Sequence, residues 1–366
     1  MRHLLIVSNG YGEDLIGRHL AEALVATGQV TVSAFPLVGD GLVYRQVGIP
    51  VVGENRALPS GGFLRSFGHV LRDIIGGLLG QLFRQFRALK AARATADGII
   101  AVGDVFCLIM AVGMSGKSAF FLPTAKSELF MPHSDIEYAL IRRLAQLSFP
   151  RDEVTHQAFL THGVASEWRG NLMMDRLVPT PAPPVVPNKI AILPGSRDEA
   201  FGNLEKILQV VAAITQLNAV YQFEVALAPQ LSLDKLGEYL APTGWKTSDN
   251  QIQKGDLSVG VTRHFNTSIC SASAVIGLAG TANEQASFLG KPVFCFEGTG
   301  PQSTGQRFVE QSKLMRGGVR FLHPFAPEFI AQEIHAVLRA GGPGLLPANQ
   351  YAADAVAGAI VKLVCG

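Results

Sequence analysis

Three short runs in the second half of this 366-residue chain carry the residue types that hold a phosphorylated ligand. In Leu193-Pro194-Gly195-Ser196-Arg197, Gly195 lets backbone approach a ligand, Ser196 offers a hydroxyl and Arg197 offers a fork of donors suited to a diphosphate. The alternative is a surface turn whose Arg197 pairs with Asp198 or Glu199. Gly280-Thr281-Ala282-Asn283-Glu284-Gln285 follows an apolar run and opens a helix, whose unpaired N–H groups and dipole favour phosphate oxygens at Gly280 and Thr281. Glu284, about one turn in, is placed to accept both hydroxyls of a ribose. The alternative there is a capping box, Thr281 at the N-cap and Glu284 at N3. Gly298-Thr299-Gly300-Pro301-Gln302 follows the next apolar run, so three loops at consecutive strand ends are expected to converge on one ligand.

The elements that must position these loops are legible as an alternation. Short apolar runs at residues 4–8, 98–102 and 119–122 are followed by helical patterns at 15–27, 105–112 and 136–145. In the first of these helices Leu15, Ile16, His19, Leu20, Ala23 and Leu24 share a face, the stripe a helix lays on a parallel sheet. Residues 179–187 hold five prolines in nine positions and read as a stiff extended linker. The alternation then restarts: strands at 189–194, 223–227, 274–277 and 292–296, helices at 204–217, 282–289, 328–340 and 348–364. The expected fold is α/β, with two Rossmann-like doubly wound domains facing a cleft. The expected boundaries are 1–178 for the amino-terminal domain, 179–187 for the linker, 188–345 for the second domain, and a last helix in 346–366 returning toward the first.

Composition limits the function classes. Hydrophobic residues make up 48% of the chain and charged residues 16%, enough for ordinary cores and too apolar for disorder. With 31 Lys and Arg against 29 Asp and Glu, no global footprint of a nucleic-acid binder exists. Cys107, Cys270, Cys295 and Cys365 form no C-x-x-C pair, so neither a zinc site nor a disulfide framework is signalled. The amino-terminal apolar run is too short for a signal-peptide core and reads as a strand, and no run reaches the ~18 apolar residues of a membrane span. A cytoplasmic protein is expected.

At this point the motifs resemble a known family. Leu-Pro-Gly-Ser-Arg at 193–197, Gly-Thr-x-x-Glu at 280–284 and Gly-Lys-Pro-Val at 290–293 resemble the nucleotide-sugar half of lipid-A-disaccharide synthase, an inverting GT-B glycosyltransferase. Gly170-Asn-Leu-Met-Met-Asp175 and Phe149-Pro-Arg-Asp-Glu153 resemble two of its other segments. Together with Ser8-Asn-Gly-Tyr-Gly-Glu-Asp14, the first of these is most similar to the divergent, largely cyanobacterial branch of synthase-related proteins. The resemblance implies that Gly195, Ser196, Arg197, Gly280, Thr281, Glu284 and Gln302 bind a UDP-sugar. It implies that Asp104 is the general base, taking the proton of an acceptor hydroxyl as its oxygen attacks C1. Taken alone, Asp104 also reads as a helix N-cap. Asn9, Gly10, Gly12 and Asp14 would lie on the acceptor side. The implied acceptor is a lipid, as in the transfer from UDP-2,3-diacylglucosamine to an acylated glucosamine phosphate. Neither a metal nor another cofactor is implied, the UDP-sugar being a substrate. The departures are Gly-Asp-Val-Phe where the family has Pro-Asp-Phe-Asn, and Gly10 where it has an acid, both on the acceptor side.

Other readings compete. A UDP-N-acetylglucosamine 2-epimerase also uses two Rossmann domains and a Gly-x-x-x-Glu turn, and a non-catalytic nucleotide-sugar binder would keep the same loops. Ala111 to Ser118 satisfies a relaxed Walker A pattern, but it follows a helix and precedes a strand, the reverse of a P-loop. Residues 62–93 hold Arg65, Arg72, Arg84, Arg87, Lys90 and Arg93 against Asp73. Arg65, Arg72 and Arg87 share an arc with Phe83, opposite an apolar face, which fits either a core-facing helix with a basic outer side or an anchor on an anionic membrane. With a lipid-type acceptor, the second reading gives peripheral contact with the cytoplasmic face of the inner membrane. The oligomeric state stays open.

Overall fold

The computed structural model describes residues 1–53, 78–113, 117–129, 131–217, 220–248, 250–300, 303–340 and 351–366. These divide into two compact units, Met1–Asp175 with Gln350–Gly366, and Arg176–Asn349.

In the first unit the strands β1 (Arg2–Ser8), β2 (Val30–Pro36), β3 (Gly98–Gly103), β4 (Ala119–Pro123) and β5 (Ala145–Ser148) form a parallel sheet in the order β2-β1-β3-β4-β5. Its helices are α1 (Tyr11–Ala26), the single turn α2 (Leu42–Arg45), α3 (Leu78–Thr95), α4 (Val105–Val112), α5 (Asp135–Leu144), α6 (Glu153–Thr161) and, from the chain's end, the last helix, Ala352–Cys365. A strand flanked on both sides and covered on both faces must be apolar throughout. β1 obeys, with Leu4, Leu5, Ile6 and Val7 all at 0% exposure. Each such side chain contributes roughly 1.5–3 kcal/mol of transfer free energy. Of the stripe expected on α1, Ile16, Leu20, Ala23 and Leu24 are buried, while Leu15 and His19 lie at its margin.

The carboxyl-terminal helix belongs to this unit and packs on α1. Its own N-cap, Tyr351, supplies no side-chain cap. The Asp175 carboxylate does so instead, accepting the N–H groups of Ala352 and Ala353 at 2.9 and 2.6 Å while fully buried. The last residue of the Gly-Asn-Leu-Met-Met-Asp motif is therefore a cap acting across 177 positions of sequence.

The second unit has an eight-stranded mixed sheet. Its strands are β6 (Lys189–Leu193), β7 (Gln222–Ala226), β8 (Lys246–Ser248), β9 (Gln251–Lys254), β10 (Leu257–Thr262), β11 (Ala274–Gly277), β12 (Val293–Cys295) and β13 (Val319–Phe321), in the order β13-β12-β11-β6-β7-β10-β9-β8. Its helices are α7 (Glu199–Gln216), α8 (Leu233–Leu240), α9 (Phe265–Ser271), α10 (Thr281–Phe288), α11 (Gly305–Leu314) and α12 (Pro327–Ala340), which makes the last helix of the chain α13. All pairings are parallel except β8–β9 and β9–β10. The proline-rich run belongs to this unit, whose boundary falls at Asp175/Arg176, ahead of it. Val186 ties the run down, its N–H donating to Ser271 O at 2.8 Å and its carbonyl accepting the Ser273 hydroxyl at 2.8 Å.

Candidate active site

In both units the strand order reverses beside the first strand, at β1/β3 in one and at β6/β11 in the other. In such sheets ligands bind outside the carboxyl ends of the strands at that point. Of the residues singled out above, Asn9, Gly10, Gly12 and Asp104 follow β1 and β3, and Gly195, Ser196, Arg197, Gly280, Thr281 and Glu284 follow β6 and β11.

In the second unit β6 and β11 run in register, Leu193 opposite Gly277, and the Leu278 N–H donates to Leu193 O at 2.9 Å. β12 lies on the far side of β11, Ile276 opposite Phe294. The loops after β6, β11 and β12 therefore leave neighbouring strand ends side by side. Gly195 takes φ +114°, which only glycine adopts readily, and that turn brings Ser196 out to an exposed position. Arg197 is half-buried. A fourth loop, after β7, reaches the same place: the Gln230 amide donates to Ser196 O at 2.6 Å.

α10 starts at Gly280, which has no side-chain cap, with Thr281 as its first residue. The capping-box alternative thus fails: Thr281 is one position too late to cap, Glu284 is the fourth helical residue, and the first N–H groups lack a side-chain acceptor from the N-cap. Glu284 is half-buried. Two buried amides that sequence reasoning passed over hold this turn. Asn283 donates to Gly277 O at 3.0 Å, and Gln311 donates to Gly280 O at 2.9 Å. Asn203 of α7, also passed over, is fully buried beneath the loops after β6 and β12. Gln302 lies outside the described residues. Lys291 of the Gly-Lys-Pro-Val run faces inward at 1% exposure and donates to Cys270 O and Ala272 O at 2.9 and 2.8 Å, capping the end of α9; burial lowers its pKa to about 8.

In the first unit Asp104 is the N-cap of α4, its Oδ1 accepting the Cys107 N–H at 2.8 Å and the Asn9 side-chain amide at 2.8 Å. The N-cap reading is thus correct. Burial pushes the carboxyl above its ordinary range and Glu137 adds to this, while three N–H donors, those of the Cys107 and Asp104 backbone and the Asn9 side chain, pull the other way. Glu137 is paired with Lys126 at 2.7 Å. Gly10 caps α1 in extended backbone and Gly12 lies in that helix's first turn.

Asp14, expected on the acceptor side, is drawn inside: it is 2% exposed and accepts the Ser8 hydroxyl at 2.6 Å, and that same hydroxyl lies 3.0 Å from the buried Tyr44 hydroxyl. Desolvation raises its pKa to about 7.

The described residues of the Walker-like run follow a helix and precede a strand: Ala111 and Val112 end α4, and Lys117, ahead of β4, donates to Ala96 O at 2.7 Å, while residues 114–116 lie outside the described residues. Of the basic stretch, Arg65 and Arg72 lie outside the described residues, as does the Phe83 side chain. Arg87 and Lys90 are exposed on α3. Arg93 is not part of any outer basic face, because it is 3% exposed and donates to Val112 O at 2.7 Å and Leu89 O at 3.1 Å. Among the described residues no helix is long and apolar enough to cross a membrane.

Comparison with known proteins gives a fold. No family model and no curated protein sequence matches the chain. Solved structures do. An MnaA–UDP co-structure from S. aureus is 12% identical, with 100% of this chain and 97% of that one covered and a TM-score of 0.62. The UDP-GlcNAc 2-epimerase of Methanocaldococcus jannaschii, in complex with UDP-GlcNAc and UDP, is 13% identical over the full length of both chains, with a TM-score of 0.59. MurG of Acinetobacter baumannii is 13% identical over 100% and 99%, with a TM-score of 0.52. The chain has the fold these proteins share, two Rossmann-like α/β units of the GT-B type.

Proposed function

We propose that the chain is a sugar-nucleotide enzyme: an inverting glycosyltransferase moving a sugar from a UDP-sugar to a lipid-type acceptor, in the manner of lipid-A-disaccharide synthase. The observation that carries the reading is the junction of the loops after β6, β11 and β12 beside the reversal point of the second sheet, with the uncapped start of α10 among them. Arg197 and Ser196 would meet the diphosphate, the Gly280–Thr281 backbone its phosphate oxygens, and Glu284 the ribose. An uncapped helix start and a guanidinium stabilise charge that grows on departing UDP, so they contribute more in the transition state than in the ground state.

Proton removal is assigned to Asp104. In a single inverting displacement the acceptor oxygen forms a bond to C1 as the bond from C1 to the UDP oxygen breaks, and the acceptor's proton passes to the carboxylate. A carboxyl raised by burial is the stronger base for this step. Asn9, by donating to Oδ1, fixes the orientation of the Asp104 carboxylate for this step. The exposed Arg87 and Lys90 of α3 support peripheral contact with an anionic membrane, from which a lipid acceptor is drawn.

A second reading is a UDP-N-acetylglucosamine 2-epimerase. It is favoured by solved epimerases that match over the full length of the chain, among them those from M. jannaschii and Neisseria meningitidis. One experiment separates the two. The protein is titrated with UDP and UDP-GlcNAc by thermal shift, then incubated with UDP-GlcNAc alone. A raised melting temperature without epimerised product favours transfer, and the 2-epimer formed with no acceptor favours epimerisation. No shift with any uridine nucleotide removes both.

A further inference from the structure

We propose that Asn203, with Ser303, is a positioning residue of the donor site, locking the loops after β6, β11 and β12 into one arrangement; this deepens the function proposed above and rests on it. Both side chains are buried, at 0% and 1% exposure. The Asn203 amide nitrogen donates to Pro194 O at 3.0 Å, in the loop that carries Gly195, Ser196 and Arg197. Its amide oxygen accepts the Thr299 N–H at 2.7 Å, in the loop after β12. Its nitrogen also donates to Ser303 Oγ at 3.1 Å, and that hydroxyl donates to Leu278 O at 3.0 Å, in the loop that leads to Gly280. One buried pair therefore joins all three loops.

The chemistry demands an amide. A backbone carbonyl on one side requires a donor and a backbone N–H on the other requires an acceptor, which fixes the orientation of the group without reference to its shape. Aspartate, of the same size, would set an oxygen against Pro194 O, and leucine would leave a buried N–H and a buried C=O unmatched. Room for the group comes from Gly298, where a Cβ would overlap the Asn203 amide oxygen and lie 2.8 Å from Ser303 Cβ. The pair spans 100 residues of sequence, so its effect is to hold two distant loops in common register.

The test compares the full chain with Asn203→Asp and Ser303→Ala, reading UDP affinity by calorimetry well below the melting temperature and amide hydrogen exchange at Thr299 and Leu278. The Leu278 amide, paired to Leu193 O at the carboxyl ends of two central strands, serves as the local control. For Asn203→Asp the expected result is about a tenfold or larger loss of UDP affinity, with about tenfold faster exchange at Thr299 and little change at Leu278. Ser303→Ala, which removes one hydroxyl, keeps the fold if Asn203→Asp does not and is expected to weaken UDP binding severalfold. Unchanged exchange at Thr299, or faster exchange with UDP affinity intact, overturns the proposal. A wild-type chain that binds no uridine nucleotide sinks the donor-site reading instead, and the coupling of the loops then stands or falls on the exchange data alone.

Discussion

The Asn9 side chain, 95 residues away in sequence, donates to the same Asp104 oxygen that caps α4, so Asn9 and the Cys107 N–H share one acceptor at the reversal point of the first sheet. The arrangement separates capping from catalysis, because Asn is as good an N-cap as Asp. Asp104→Asn is therefore expected to keep the melting temperature within a few degrees and to lower kcat by about 10²–10⁴. The wild-type rate should fall on the acid side with an apparent pKa above the ordinary carboxylate range. Turnover unaffected by the substitution would take the base role away from Asp104.

Asp14 gives a stability test with a definite sign. Its folded pKa, about 7, lies above the value of 3.8 expected for an unfolded chain. The folded state thus binds the extra proton, and the contribution is full below about pH 4 and lost as pH rises through 7. Asp14→Asn removes this dependence. Urea unfolding should show the variant near wild type at about pH 4 and relatively more stable at pH 8, by an amount on the order of a few kcal/mol. An equal difference at both pH values would mean that Asp14 does not hold the proton.

Glu284→Gln and Arg197→Ala address the donor site directly. Each is expected to weaken UDP binding by about tenfold to a hundredfold, with the fold intact by circular dichroism. A calorimetric titration in which neither matters would place the nucleotide elsewhere.

Asp175→Asn leaves one amide N–H of α13 facing a donor. A loss of about 2–3 kcal/mol in the first unit is expected, and residues 351–366 should become cleavable by protease before the rest of the chain. Protection equal to wild type would show that packing on α1 alone holds the helix.

Membrane contact is read by flotation with anionic vesicles. Arg87→Glu with Lys90→Glu should reduce binding severalfold at low salt, and unaltered flotation would remove α3 as the contact.

Much of this was legible before the structure because central parallel strands are apolar on both faces. β1, β3, β6 and β11 stand out as short hydrophobic runs, and the loops that end them carry the glycines and charges noticed first. The β8–β10 meander was not read. Its strands lie at a sheet edge and expose much of their length, so Gln251–Lys254 shows one buried residue in four. The signal that existed was Gly255-Asp256, a two-residue turn with Gly255 at φ +58° between paired Lys254 and Leu257. Asn203 and Ser303 had no local signal. Each is an ordinary polar residue on a helix or loop, and its meaning arises only when the fold brings distant backbone groups to it. The burial of Asp14 went unread for a related reason: it occupies a motif position beside the strand end, and only the fold brings Ser8 and Tyr44 to draw it inside.

The capping of Ala352 and Ala353 by Asp175 makes the second unit an insertion, since the chain leaves the first unit at residue 175 and re-enters it at 350. During synthesis the inserted unit can finish while its host waits, with an anionic side chain and one flank of α1 lacking their counterpart until the closing segment clears the ribosome. A nascent chain halted near residue 345 would then carry a finished second unit on an unfinished host, a form that chaperones would recognise by the uncovered helix.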